Sequence, residues 1–111
     1  MPVYVDSMRA RYGRMVMCHM VADTDVELHR MAFMIGVSRR WFQNPGEPGR
    51  HYDICLSKRS MAVNLGAIEI TWRQTGLMVI RRRVTGEMGA PAEAQAWFDQ
   101  HAADKRQVVA P

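Results

Sequence analysis

Apolar residues along this chain come in short blocks, and their spacing switches between the period of a strand and that of a helix. "PVYVD" alternates β-branched and aromatic residues and predicts a core strand that ends at Asp6. "RMVMCHMVA" is a second apolar run whose Val, Met and Cys content suits a buried strand, and its carboxyl end delivers Asp23. The next four residues, "TDVE", have the form of a capping box. In it Thr24 accepts from the Glu27 amide and Glu27 reaches back to the Thr24 amide. Leu28, Met31, Ala32 and Ile35 then recur on one helical face and Gly36 stands where a left-handed cap is wanted, so a helix is expected over about 25–35.

Further on the pattern loosens. "VSRRWFQ" reads as a short strand and "NPGEPGRH" as a wide, turn-rich loop. A second helix is expected from Ser57 to Leu65, capped by Ser57, with Met61, Ala62 and Leu65 on one face and Gly66 ending it. "AIEIT" alternates as a strand. Residues 71–84 support two readings, a helix opened by the capping box "TWRQ" or a hairpin closed by the β-branched "LMVIRRRV", and the balance of propensities favours the hairpin. "PAEAQAWFDQHAADKRQ" predicts a C-terminal helix with Ala94, Trp97, Phe98 and His101 on one face. The expected fold is therefore α/β: a single small domain over 1–88 with a sheet of three to five strands and two helices packed on it. A C-terminal helix over 89–105 and a flexible tail over 106–111 complete the layout.

A length of 111 residues allows one modest core and argues against a two-domain enzyme with a large interdomain cleft. The N-terminus has neither a signal-peptide core nor an 18-residue apolar run, so a cytoplasmic protein without membrane contact is expected. Cys18 and Cys55 lack CxxC spacing and read as free or buried thiols. The formal charge of +4 comes mostly from grouped arginines: Arg9, Arg11 and Arg14; Arg39 and Arg40; Arg81, Arg82 and Arg83. The planar guanidinium fork matches phosphate oxygens, so nucleic acid or a nucleotide is the partner this balance favours; a merely solvated basic surface is the alternative. Candidate phosphate contacts are Arg9, Arg14, Arg39, Arg40, Arg73 and Lys58.

The polar residues suited to chemistry are Asp6, His19, Asp23, His29, His51 and Asp53. With Asp6 and Asp23 at the carboxyl ends of strands, ligands would bind where open α/β sheets usually place them. The expectation is one pocket holding His19, Asp23 and His51, with Asp6 and Asp53 beside them and His29 on the margin. Imidazoles and carboxylates together serve either general acid/base work or a divalent ion, and hydrolysis of a phosphoester is the reaction such a pocket favours. Each residue also has a structural role open to it: Asp23 as a helix cap, His29 as a boundary histidine, His19 as a satisfied core group. HExxH, GxSxG, Walker and GxGxxG patterns are absent. A second reading is therefore a non-enzymatic accessory or inhibitor module that binds a host protein through Trp97 and Phe98.

"VYVDSMRARYGRMVMCHMVADTDVELH", "HYDICLSKR" and "GAIEITWR" together resemble the small bacterial and phage proteins grouped as domain of unknown function 4031. The resemblance spans roughly residues 3–75. Its pattern falls on Val5 and Asp6, Gly13, Cys18 and His19, Asp23 and Thr24, Glu27 to His29, His51 to Asp53, and Gly66 and Ala67. It implies that these histidines and aspartates form one site and that the protein is a phage-type accessory; it implies no particular activity.

Overall fold

A computed structural model describes residues 2–109, with side chains through residue 102, and of the tail expected at 106–111 the last two residues lie outside the described ones. The chain runs as β1 (Val3–Val5), β2 (Ala10–Tyr12), β3 (Met15–Ala22), α1 (Asp25–Met34), β4 (Phe42–Gln43), β5 (His51–Cys55), α2 (Leu56–Asn64), β6 (Ile68–Glu69), α3 (Trp72–Thr85) and α4 (Pro91–Val109). The sheet order is β4-β5-β3-β1-β6, with β2 folded back on β3. β1 pairs antiparallel with β3 and parallel with β6, and β5 lies antiparallel between β3 and β4.

Alternation along the strands divides the core in two. Val3, Val5, Cys18, Met20, Ala22, Tyr52 and Ile54 face α1 and α2, where Leu28, Met31, Ala32, Ile35 and Ala62 meet them. Tyr4 and Val21 point the other way, onto Leu77 and Met78 of α3 and Ala94 and Phe98 of α4. Helices thus cover both faces of a mixed sheet, as the α/β reading requires. Among the described residues no helix is long and apolar enough to cross a membrane.

Several local expectations are corrected. Residues 72–85 form a helix, not a hairpin: the Thr71 hydroxyl accepts from the Gln74 amide at 3.1 Å and the Gln74 side chain accepts from the Thr71 amide at 2.8 Å. That box, with Thr75, Met78 and Arg82 buried on one face, overrides the β-branched content of Val79, Ile80 and Val84. The Thr24 box is only half formed, because Glu27 accepts the Thr24 hydroxyl at 2.8 Å instead of its backbone amide. "VSRRWFQ" is a strand only at its last two residues; Arg39–Trp41 form one 3-10 turn started by Ser38. The second helix begins at Leu56 without a side-chain cap, and Met61 and Leu65 stay exposed while Ala62 carries its burial. Among the described residues the sheet has six strands, because "ARY" and "HYDIC" add two that were not expected. Both left a trace: Gly13 takes φ +60° in the tight turn joining β2 to β3, and "HYDIC" alternates polar with apolar residues.

Arg82 ties the second layer to the sheet. Its buried guanidinium donates to the carbonyls of Ala22, of Asp23 at 3.2 Å and of Pro48 at 3.2 Å. It thereby satisfies backbone acceptors at the end of β3 and fastens the loop before β5.

Candidate metal centre

Strand register builds the site. His19 of β3 stands directly opposite Asp53 of β5, so their side chains leave the sheet on one face; His51, two residues before Asp53 on the same strand, shares that face. This is the side covered by α3 and α4 around Tyr4 and Val21, but the β3–β5 half remains partly open, with Asp53 31% exposed. Ligand atoms of His19, His51 and Asp53 all lie within 4.8 Å of one another.

Each imidazole is held by its Nδ1 edge. The Asp6 carboxylate takes four hydrogen bonds: Oδ1 from the backbone amides of Met8 (3.1 Å) and His19 (2.9 Å), and Oδ2 from His19 Nδ1 (2.8 Å) and the Thr75 hydroxyl (2.9 Å). Burial pushes the Asp6 carboxyl up, but the bonds from the His19 ring and the two amides outweigh it and hold the group below its ordinary value. An ionised carboxylate only accepts, so His19 carries its proton on Nδ1. The bond to Asp6 in turn raises the His19 value against the opposing effect of burial. His51 Nδ1 donates to the Gly49 carbonyl at 2.7 Å. In neutral His19 and His51, then, each Nε2 presents a lone pair, and the two converge on Asp53 Oδ1, at 3.9 and 3.3 Å.

Asp53 completes the arrangement. Its Oδ2 accepts from the Gln43 side chain at 2.7 Å, whereas Oδ1 is buried and has no hydrogen-bond partner among the described residues. Atoms bound at about 2.1 Å to one divalent ion lie roughly 3–3.5 Å apart, so small side-chain adjustments would let all three hold a single cation. Histidines anchored through Nδ1 by a carboxylate and a carbonyl are what such a centre requires behind its ligands.

The other expected site residues separate from this cluster. Asp23 lies four positions beyond His19, about 13 Å along extended chain, and its carboxylate accepts from the Gly89 amide at 3.0 Å. Asp23 therefore belongs to the junction with the segment before α4, and the single pocket expected for His19, Asp23 and His51 loses that member. His29 is on the opposite face of the sheet, sharing a 2.7 Å hydrogen bond with the Tyr52 hydroxyl and packing edge-on against Phe42. Arg9, Arg14, Arg39 and Arg40 are exposed in loops and turns, with Arg40 over the Trp41 ring. Arg73 donates to Gln95 of α4 at 2.9 Å, and Lys58 lines a cleft that Asp53 also lines. Sequence reading passed over two supporting residues, Thr75 and Gln43; neither lies in a recognisable motif, and only tertiary contact reveals them.

Burial and the nearby Arg39 lower the His29 value below its ordinary one. The unfolded chain then binds that proton more readily, so this contribution to stability is present above about pH 6.5 and is lost as the pH falls below it. His29→Gln should lessen the drop in Tm between about pH 7.5 and pH 5 relative to wild type. Parallel Tm profiles for the two proteins would refute the assignment.

A family model described as "Protein of unknown function (DUF4031)" matches residues 3–83, and the chain belongs to that family. The match includes every residue of the His19, His51 and Asp53 cluster as well as Asp6 and Thr75, and it ends within α3. No curated protein and no solved structure matches the chain.

Proposed function

We propose that this member of the DUF4031 family is a divalent-metal-dependent phosphoester hydrolase, with His19, His51 and Asp53 holding the ion. One observation carries the reading: two imidazoles, each anchored by Nδ1, direct Nε2 at a buried carboxylate oxygen that has no other partner among the described residues. Three protein ligands leave coordination positions open for substrate, as catalytic centres require and closed structural ones do not. A divalent ion held there would supply Lewis-acid activation of water and of a phosphoryl oxygen. Asp6 and Gly49 keep both rings in the binding tautomer, Gln43 orients Asp53, and the partly open face admits substrate. The choice of a phosphoester rests on the formal charge of +4 and on arginines that have no carboxylate partner among the described residues, such as Arg9, Arg11 and Arg14.

The host-protein reading draws less support. Phe98, one of its two aromatic anchors, packs into the second core, and Trp97 stacks on His101.

The test is metal analysis of purified protein together with turnover of bis(p-nitrophenyl) phosphate before and after chelation. We expect about one divalent ion per chain and hydrolysis that chelation stops and one added metal restores. A chain that takes up no Mn, Zn, Co or Mg, and shows no metal-stimulated turnover, would overturn the proposal.

A further inference from the structure

The cleft that shares Asp53 with the metal centre has a volume of about 560 Å³, within the usual range of small-molecule sites. Within a lining that is otherwise largely apolar, with Met8, Met15 and Met17 among it, two kinds of group stand out. Tyr12 and Trp41 stand 69% and 55% exposed, too wet to be explained as core. Arg11 and Lys58 supply two cations that form no hydrogen bond or ion pair through their side chains among the described residues. Asp53 is the sole carboxylate in the lining among the described residues, and it belongs to the candidate metal centre. Gly36 keeps the Lys58 ammonium close to bare backbone: a Cβ there would meet Nζ at 3.3 Å.

We propose that this cleft binds one nucleotide unit, its base against Trp41 and Tyr12 and its phosphate between Arg11 and Lys58, beside the metal centre. The inference rests on the phosphoester reading and names its substrate class. Aromatic faces accept any base by stacking, whereas unpaired cations answer the phosphate. A space of this volume takes a single base with its sugar and phosphate; a duplex, whose bases are stacked and paired, presents no free face to either ring. The same chemistry is offered by a free mononucleotide and by one residue of a single strand.

Equilibrium dialysis with labelled AMP, a labelled single-stranded decanucleotide, the matching duplex and ribose 5-phosphate tests this on the full chain. Wild type is compared with Trp41→Ala, Arg11→Met and Lys58→Met, all in chelator to silence hydrolysis. Trp41 and Arg11 are exposed, so their loss should leave the fold intact, and circular dichroism checks each variant.

Saturable binding of AMP or of the single strand, weakened roughly 10- to 100-fold by Trp41→Ala and about tenfold by either cation variant, is the expected result. AMP binding with no gain for the strand identifies the free nucleotide as ligand; tighter, salt-sensitive strand binding identifies the strand. Absence of binding at about 1 mM AMP or strand, preference for duplex, equal binding of ribose 5-phosphate, or indifference to Trp41→Ala would overturn the proposal. The metal reading fails separately. Dialysis in chelator does not depend on the ion, and turnover of bis(p-nitrophenyl) phosphate does not depend on a base-binding cleft.

Discussion

Asp53→Ala should abolish metal binding and metal-dependent turnover while leaving the fold almost untouched. In the metal-free protein this carboxylate contributes one hydrogen bond, from Gln43, and its other oxygen has none. Removing it should cost no more than about 1–1.5 kcal/mol of stability, the net worth of an ordinary hydrogen bond. In the proposed metal-bound form it would be one of three ligands. Loss of a group merely supporting a ligand weakens affinity roughly 10- to 100-fold, so loss of the ligand itself should cost at least about 100-fold. Thermal unfolding separates the two effects. An ion at about 100 times its Kd stabilises the native state by roughly 2.7 kcal/mol, so wild type should show a metal-dependent rise in Tm that the variant lacks. If Asp53→Ala kept the rise in Tm and the turnover, the metal would have to sit elsewhere.

Asp6 should produce the largest loss of stability in this part of the sheet. The group is 1% exposed and takes four hydrogen bonds from three residues, Met8, His19 and Thr75. Asp6→Ala strands two amides, a hydroxyl and an imidazole N–H in a buried site. Leaving a buried donor unsatisfied costs about 1–3 kcal/mol for each group, a large share of the roughly 5–15 kcal/mol that typically holds a domain together. Its folded value is lowered, so the contribution is present above about pH 4 and is lost as pH falls below that. The partner has the opposite sign: His19 is raised, so its share is present below about pH 6.5 and fades as pH rises through the folded value.

Asp6→Asn probes the second role of the same residue. The amide keeps the shape of the carboxylate, but no longer requires a proton on His19 Nδ1, so the ring is free to place that proton on Nε2. Metal affinity should then fall roughly 10- to 100-fold, with a smaller loss of stability than alanine causes. Urea unfolding at pH 7 gives the stability, and competition against a metal-binding dye gives the affinity. Full affinity in Asp6→Asn would show that the carboxylate has no part in presenting His19.

Local chemistry decided what could be read from the chain alone. The first helix was legible because Thr24, the Leu28, Met31, Ala32 and Ile35 stripe and Gly36 all act within one segment, and the first two apolar runs became β1 and β3 for the same reason. The acids and imidazoles were recognisable as site material, since His19 interrupts an apolar run and must find a partner. Which of them meet depends on register, and that is set by contacts between segments. A slip of one residue between β3 and β5 would turn Asp53 away from His19. Neither propensity nor spacing reports that alignment. The extended geometry that carries Asp23 away from His19 became decisive once β3 was known to run straight to Ala22. Likewise 71–84 held a strong cap and a β-branched run in conflict, and burial of Thr75 and Met78 against the sheet decided for the helix. That choice brought the Thr75 hydroxyl to Asp6, fixing the carboxylate that positions His19. The sequence by itself determined the elements with strong local signals, α1, β1 and β3, and the kinds of side chain available for chemistry. Tertiary structure decided which three of those side chains face one point, because strand pairing and helix burial are energies shared between distant parts of the chain.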